Sequence, residues 1–139
     1  MNSQNQSHGY KLIVALMAFS LHSCASHDPN QSERDGELAV LVDGSGTYSR
    51  SISTDSQQAQ LFFDQGLRLT WGYFFPESIA SHQEALRHDP EHPMIYWGMA
   101  LAMGPNPNSR YSGMPDDPHG EAKKAISQAV KLIDRANNS

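Results

Sequence analysis

Three histidines stand in one stretch of this chain, His82, His88 and His92, and Met94 lies two residues beyond the last. Imidazole nitrogen beside thioether sulfur is a donor set suited to copper in an oxidising compartment. His88 and His92 can approach across a helix–helix turn, and His92-Pro93-Met94 sets a nitrogen close to a sulfur. The same residues have a plainer reading. His82 falls on a core-facing position, while His88 and His92 flank an exposed turn, and a helix C-terminus alone favours a histidine. None of the spacings is a recognised ligand motif. Metal binding through His88, His92 and Met94 is the alternative; the leading expectation is no metal and no cofactor.

Other chemistry is sparse. The chain has no phosphate-cradling glycine loop, no nucleophile elbow and no zinc-protease helix. Ser45 between Gly44 and Gly46 lacks a strand-to-helix context, and Asp116-Asp117 suits a helix N-terminus electrostatically. The expectation is a non-enzyme. Trp71, Tyr73, Phe74 and Phe75 gather aromatic surface at one turn. They are either core packing or a hydrophobic patch that receives a peptide or a neighbouring subunit, and so are candidate partner-binding residues. Met94, Met99, Met103 and Met114 fit flexible core packing as well as ligation. Asn106, Asn108, Arg110 and Tyr111 lie in a polar loop able either to bind a polar ligand or to be solvated.

These side chains need a scaffold. With 139 residues, 38% of them hydrophobic, the chain is long enough for one modest domain. A formal net charge of −5 with no run of Lys or Arg argues against a nucleic-acid surface.

The N-terminus reads as a targeting segment. The apolar run Leu12 to Leu21 would span roughly 15 Å as a helix, against about 30 Å of hydrocarbon. It is too short to cross a bilayer and right for the apolar region of a signal peptide over residues 1–23. Leu21-His22-Ser23-Cys24 resembles a bacterial lipoprotein lipobox, with Cys24 as the lipidated residue and His22 as a departure. Cys24 is the single cysteine, so an internal disulfide and a thiolate zinc site are excluded. A plain signal peptide, or an uncleaved anchor, is the other reading. The expected location is exported, held at the membrane by lipid alone, and facing the periplasm from the outer membrane if the cell is Gram-negative, since no Asp follows Cys24.

Residues 24–55 are rich in Ser, Asp, Gly and Asn, which predicts a flexible linker. Within it Glu37 to Val42 has the composition of a short strand, ended by Asp43-Gly44-Ser45-Gly46. An all-α domain of about four helices is expected over 56–139. The first begins after Thr54 or Asp55 and buries Ala59, Phe62, Phe63, Gly66, Leu69, Thr70 and Tyr73. Pro76 opens the second, with Ile79, His82, Ala85 and Leu86 inward, and Asp89-Pro90 ends it. The third runs from Pro93 to Met103 and stops at Gly104-Pro105. The fourth, Pro118 to Ala136, carries the stripe Ala122, Ala125, Ile126, Ala129, Val130, Ile133 and Ala136.

Two of these helix pairs repeat with a period of about 34 residues. Phe62, Gly66, Ala85 and Pro90 take the aromatic, small, small and helix-stopping positions, and Tyr96 and Ala100 begin the pattern again. Ala122 and Ala129 continue it if the preceding loop is an insertion. This resembles the tetratricopeptide repeat, with one full repeat and an altered second one. The run from Ala59 to Leu69, Glu84-Ala85, Asp89-Pro90, Met94 to Ala100 and Gly104 to Asn108 is similar to the start of a family of exported bacterial tetratricopeptide-repeat proteins. Relatives often carry a histidine before the second helix where Phe75-Pro76 stands here, a cysteine in place of His92, and histidines around Thr47-Tyr48-Ser49. Ligand functions resting on those side chains do not transfer. The resemblance implies paired helices and export rather than an activity. The expected function is an interaction or scaffold module of the cell envelope, meeting a partner protein or its own copies in the groove between the first and third helices. The alternatives are a small copper-handling protein and a truncated form of a longer repeat protein. Repeats of this kind need about three neighbours for adequate burial, so self-association is the expected route to stability.

Overall fold

The computed structural model describes residues 36–105 and 113–139. Among these the chain is all-helical, with no strand: α1 (Gln57–Trp71), α2 (Phe75–His88), α3 (Pro93–Met103) and α4 (Pro118–Asn137). The helices start where the sequence supplies a cap or a proline. Ser56 Oγ accepts the Ala59 amide at 3.1 Å, so α1 begins a residue or two later than expected. The Thr54 hydroxyl instead accepts the Ser56 amide at 3.2 Å, ahead of the helix, and donates to Asp89 Oδ2 at 2.6 Å. Pro76 lies in the first turn of α2 and Pro93 in that of α3, while Asp117 Oδ1 caps α4 through the Gly120 amide at 3.0 Å. Asp89, preceding Pro90, leaves helical geometry at φ −150° and ends α2.

α1 and α2 form a hairpin, α3 packs against both, and α4 packs on α3 and on no other helix among the described residues. One core cluster joins Phe62, Phe63 and Leu67 of α1 to Ala85 of α2 and Ile95 of α3. A second joins Ile79, Ala100, Met103 and Ala125. The α4 stripe is corrected in one respect. The buried face is Ala125, Ala129 and Leu132, whereas Ile126, Val130 and Ile133 are 41%, 50% and 46% exposed. The two alanines let α4 lie close on α3, and a stripe that broad cannot be covered by one neighbouring helix.

Residues 36–55 form an ordered strap along α1 and α2, where the composition suggests a linker. The strap buries little apolar area; helix side chains hold its backbone instead. Gln65 Nε2 donates to the Val40 carbonyl at 2.8 Å, and Gln65 Oε1 accepts the Val42 amide at 2.7 Å. Gln60 repeats the arrangement on the Arg50 carbonyl (2.9 Å) and the Ile52 amide (3.0 Å). Arg87 donates to the Gly36 carbonyl while Glu84 Oε2 accepts the Leu38 amide at 2.8 Å. In each clamp the carbonyl of one residue and the amide two residues on are bonded together. A neighbouring parallel strand bonds the same two groups. Glu37 to Val42 thus finds side-chain amides and a carboxylate where a strand needs a second strand. Asp64 adds the Arg50 amide at 2.9 Å and the Ser49 hydroxyl at 2.6 Å.

Gln65→Ala removes both ends of one clamp. The expected result is a loss of roughly 1–2 kcal/mol in stability and faster hydrogen exchange at the Val42 amide. Unchanged exchange at Val42 would show that the clamp does not hold the strap.

Candidate functional site

The helix junction is built on His82. Its ring is fully buried, 5.6 Å from the Phe63 ring between centroids and tilted by 55° to it. The ring occupies the space left by two glycines on facing helices. A methyl group on Gly66 of α1 or on Gly98 of α3 would come within 2.5 Å of His82 Cε1. The small residue at Gly66 therefore does admit the second helix, and Gly98, which sequence reasoning did not single out, admits the third. An interior glycine in a helical run was the available signal. Neither ring nitrogen of His82 has a hydrogen-bond partner among the described residues. Burial pushes its pKa from 6.5 down to about 3, so the imidazole is neutral.

The other candidate ligands have duties in the fold. His92 Nδ1 accepts the Met94 amide at 3.2 Å as the cap of α3. His88 stacks on Phe62, with centroids 5.9 Å apart and ring planes 4° from parallel, and its Nε2 stands 3.3 Å from Glu84 Oε1. Met94 packs against the first core cluster. Among the described residues no three His, Cys, Asp or Glu stand together as a metal site. Glu84 is itself buried, with Leu38, Arg87 and His88 around its carboxylate.

The aromatic turn divides. Trp71, Tyr73 and Phe74 are exposed, whereas Phe75 is buried, with Tyr73 edge-on to it at 6.0 Å. Tyr73 takes a left-handed φ of 66°, which turns the chain between α1 and α2. Of the other patterned positions, Phe62, Ala85, Ala100 and Ala129 are buried, Tyr96 and Ala122 are half-buried, and the Pro90 carbonyl accepts the Tyr96 hydroxyl at 3.1 Å. Cys24, the signal segment, Asn106, Asn108, Arg110 and Tyr111 lie outside the described residues.

Several surfaces among the described residues are open to a partner. The groove between α1 and α3, expected to receive one, is partly filled by the strap: Ile52 packs on the core, and the Arg50 guanidinium sits 5.8 Å from the Trp97 ring centre. A clearer opening, among the described residues, lies along α4. There Ile126, Val130 and Ile133 form a ridge on α4, beside a cleft of about 650 Å³ lined by Ala100, Pro105, Ala122 and Ile126. A second cleft of about 800 Å³ runs between α2 and α4, over Tyr96, Met99 and Met103 of α3. No described helix is long and apolar enough to cross a membrane. Comparison with protein-family models, curated proteins and solved structures finds no match.

Two measurements test the junction. Protonating His82 is easier in the unfolded chain than in the fold. The stability due to the neutral ring is therefore complete above pH 6.5 and is lost as pH falls from there toward 3, at up to about 1.4 kcal/mol per unit. His82→Phe should flatten that slope in pH-dependent denaturation, and an unchanged slope would assign the acid sensitivity elsewhere. Gly66→Ala should cost about 1–3 kcal/mol, and His82→Ala in the same chain should recover part of it. Strict additivity of the two would show that the ring and the glycine do not meet.

Proposed function

We propose that this chain is an exported, lipid-anchored interaction module of the cell envelope, built from tetratricopeptide-like helix hairpins and associating with its own copies. One observation carries the reading: among the described helices α4 packs on α3 alone, and it leaves Ile126, Val130 and Ile133 exposed in a row. The hairpin α1–α2 is covered by α3. The hairpin α3–α4 has no such cover among the described residues.

The ridge favours a second copy over an unrelated occupant because its spacing, four residues and then three, is almost the same read in either direction. Two α4 helices laid antiparallel bring Ile126 of one copy to Ile133 of the other, with Val130 near the two-fold axis, an isologous contact. Covering three half-exposed branched side chains contributes roughly 3–4 kcal/mol per copy. Association costs about 4–15 kcal/mol in lost freedom, so the pair is weak in solution. Lipid anchoring through Cys24 would confine copies to one surface and raise their local concentration.

Sedimentation of the full chain should show mass rising with concentration, and Val130→Glu should hold it monomeric without changing its helical circular dichroism. Equal association of the two proteins would remove the α4 interface. In cells, Cys24→Ser should move the chain out of the membrane fraction; retention there would overturn the anchor.

A further inference from the structure

The clamps described above act on one edge of the segment 37–42. The carbonyls of Gly36 and Val40 and the amides of Leu38 and Val42 turn to the helices. Past the bend at Leu38, the bonded groups of Val40 and Val42 alternate with Ala39 and Leu41, whose backbone groups therefore turn the other way. Those groups make no hydrogen bond to any described residue. The segment is not a strand of a sheet, yet its backbone is clamped on one side and, among the described residues, unbonded on the other. Its side chains are equally uncovered: Leu38, Val40, Leu41 and Val42 are all exposed. Beside them a cleft of about 580 Å³ is lined by Val40, Val42, Leu69, Phe74 and Ala80. An edge of this kind, apolar and without lysine or proline, is one that folded proteins normally blunt.

We infer that the outer edge of residues 37–42 is a docking site for an extended polypeptide segment of a partner, apolar along its length and basic at its ends, which adds to this edge as a parallel or antiparallel strand. The backbone supplies affinity, and the exposed side chains of Leu41 and its neighbours meet the apolar side chains of the incoming segment. Charge selects the occupant. Glu37 and Asp43 bracket the segment, and Glu77 lines the cleft. A second copy is disfavoured, because antiparallel pairing sets Glu37 against Asp43 and parallel pairing sets each against itself. A partner strand with Lys or Arg at its ends meets the same carboxylates favourably. The site is separate from the α4 ridge, so either can stand without the other.

The test uses the full chain and a fluorescein-labelled peptide, Lys-Val-Thr-Val-Thr-Val-Lys, read by anisotropy. Saturable binding is expected, with slower hydrogen exchange at the Leu41 amide in the bound state. Leu41→Pro deletes that amide while leaving every clamp intact, and should weaken binding about tenfold or more. The same peptide N-methylated at alternate residues removes the bonds from the ligand side and should fail against the unaltered protein, whatever Leu41→Pro does to folding. Val130→Glu should bind the peptide like the parent chain, which separates this site from the self-association interface. Absence of binding, equal binding by the N-methylated peptide, or equal binding with Glu in place of both Lys residues would each overturn the proposal. So would loss of self-association in a folded Leu41→Pro chain, which would make a second copy the occupant.

Discussion

Everything else in the fold depends on the space around one imidazole. His82 fills the slot that Gly66 and Gly98 leave open, and the slot sets how closely α1, α2 and α3 approach. The ring satisfies no hydrogen bond among the described residues, so its contribution is one of shape. Such a group costs about 1–3 kcal/mol in desolvation, which packing against Phe63 and two bare helix backbones has to offset. Once α3 is seated, Ala100 and Met103 face Ala125, and α4 follows α3 rather than closing over the hairpin. The exposed ridge on α4 is thus a remote result of the His82 slot.

The second organising force is polar. Asp64, Gln65, Ser78, Ser81 and Glu84 are buried within what looks like an apolar hairpin. Each is bonded, some to other helix groups and some to the strap. Gly66 shows the first kind: its carbonyl accepts both the Thr70 hydroxyl at 3.0 Å and the Ser78 hydroxyl at 2.7 Å. Gln65 shows both, since its amide nitrogen serves the Val40 carbonyl and the Ser81 hydroxyl at 3.1 Å. The hairpin is therefore specified by hydrogen-bond partners as much as by area.

The helices were legible because their punctuation is local. Asp89-Pro90, Pro93, Gly104 and Pro118 act within a turn of themselves, and the observed boundaries fall beside them. The strap was not legible, because composition measures how little apolar surface residues 36–55 can bury and is silent on who holds their backbone. The signal lay elsewhere in the chain. Asp64-Gln65 interrupts the apolar run from Leu61 to Leu67, and polar side chains on a buried face require partners. The α4 stripe was seen but not divided, since periodicity finds an apolar arc without saying which part a neighbour covers. The aromatic turn split for a comparable reason: a left-handed Tyr73 reverses the chain, sending Phe75 inward and leaving Trp71 and Phe74 outside.

The strap changes where the independent folding unit begins. A boundary drawn at the start of α1 would strip from Gln60, Asp64, Gln65 and Glu84 the strap groups they bond, and leave two acidic groups in the hairpin without the backbone amides that face them. A fragment of that kind would keep Arg87 beside Glu84 and the Gln60 amide on Asp64, but both buried carboxylates would lose a backbone amide, so its helices would not simply be a shorter version of the same protein. A fragment that keeps all of these bonds starts no later than Gly36. A protease that cut within the strap would disturb the helices without touching one of them.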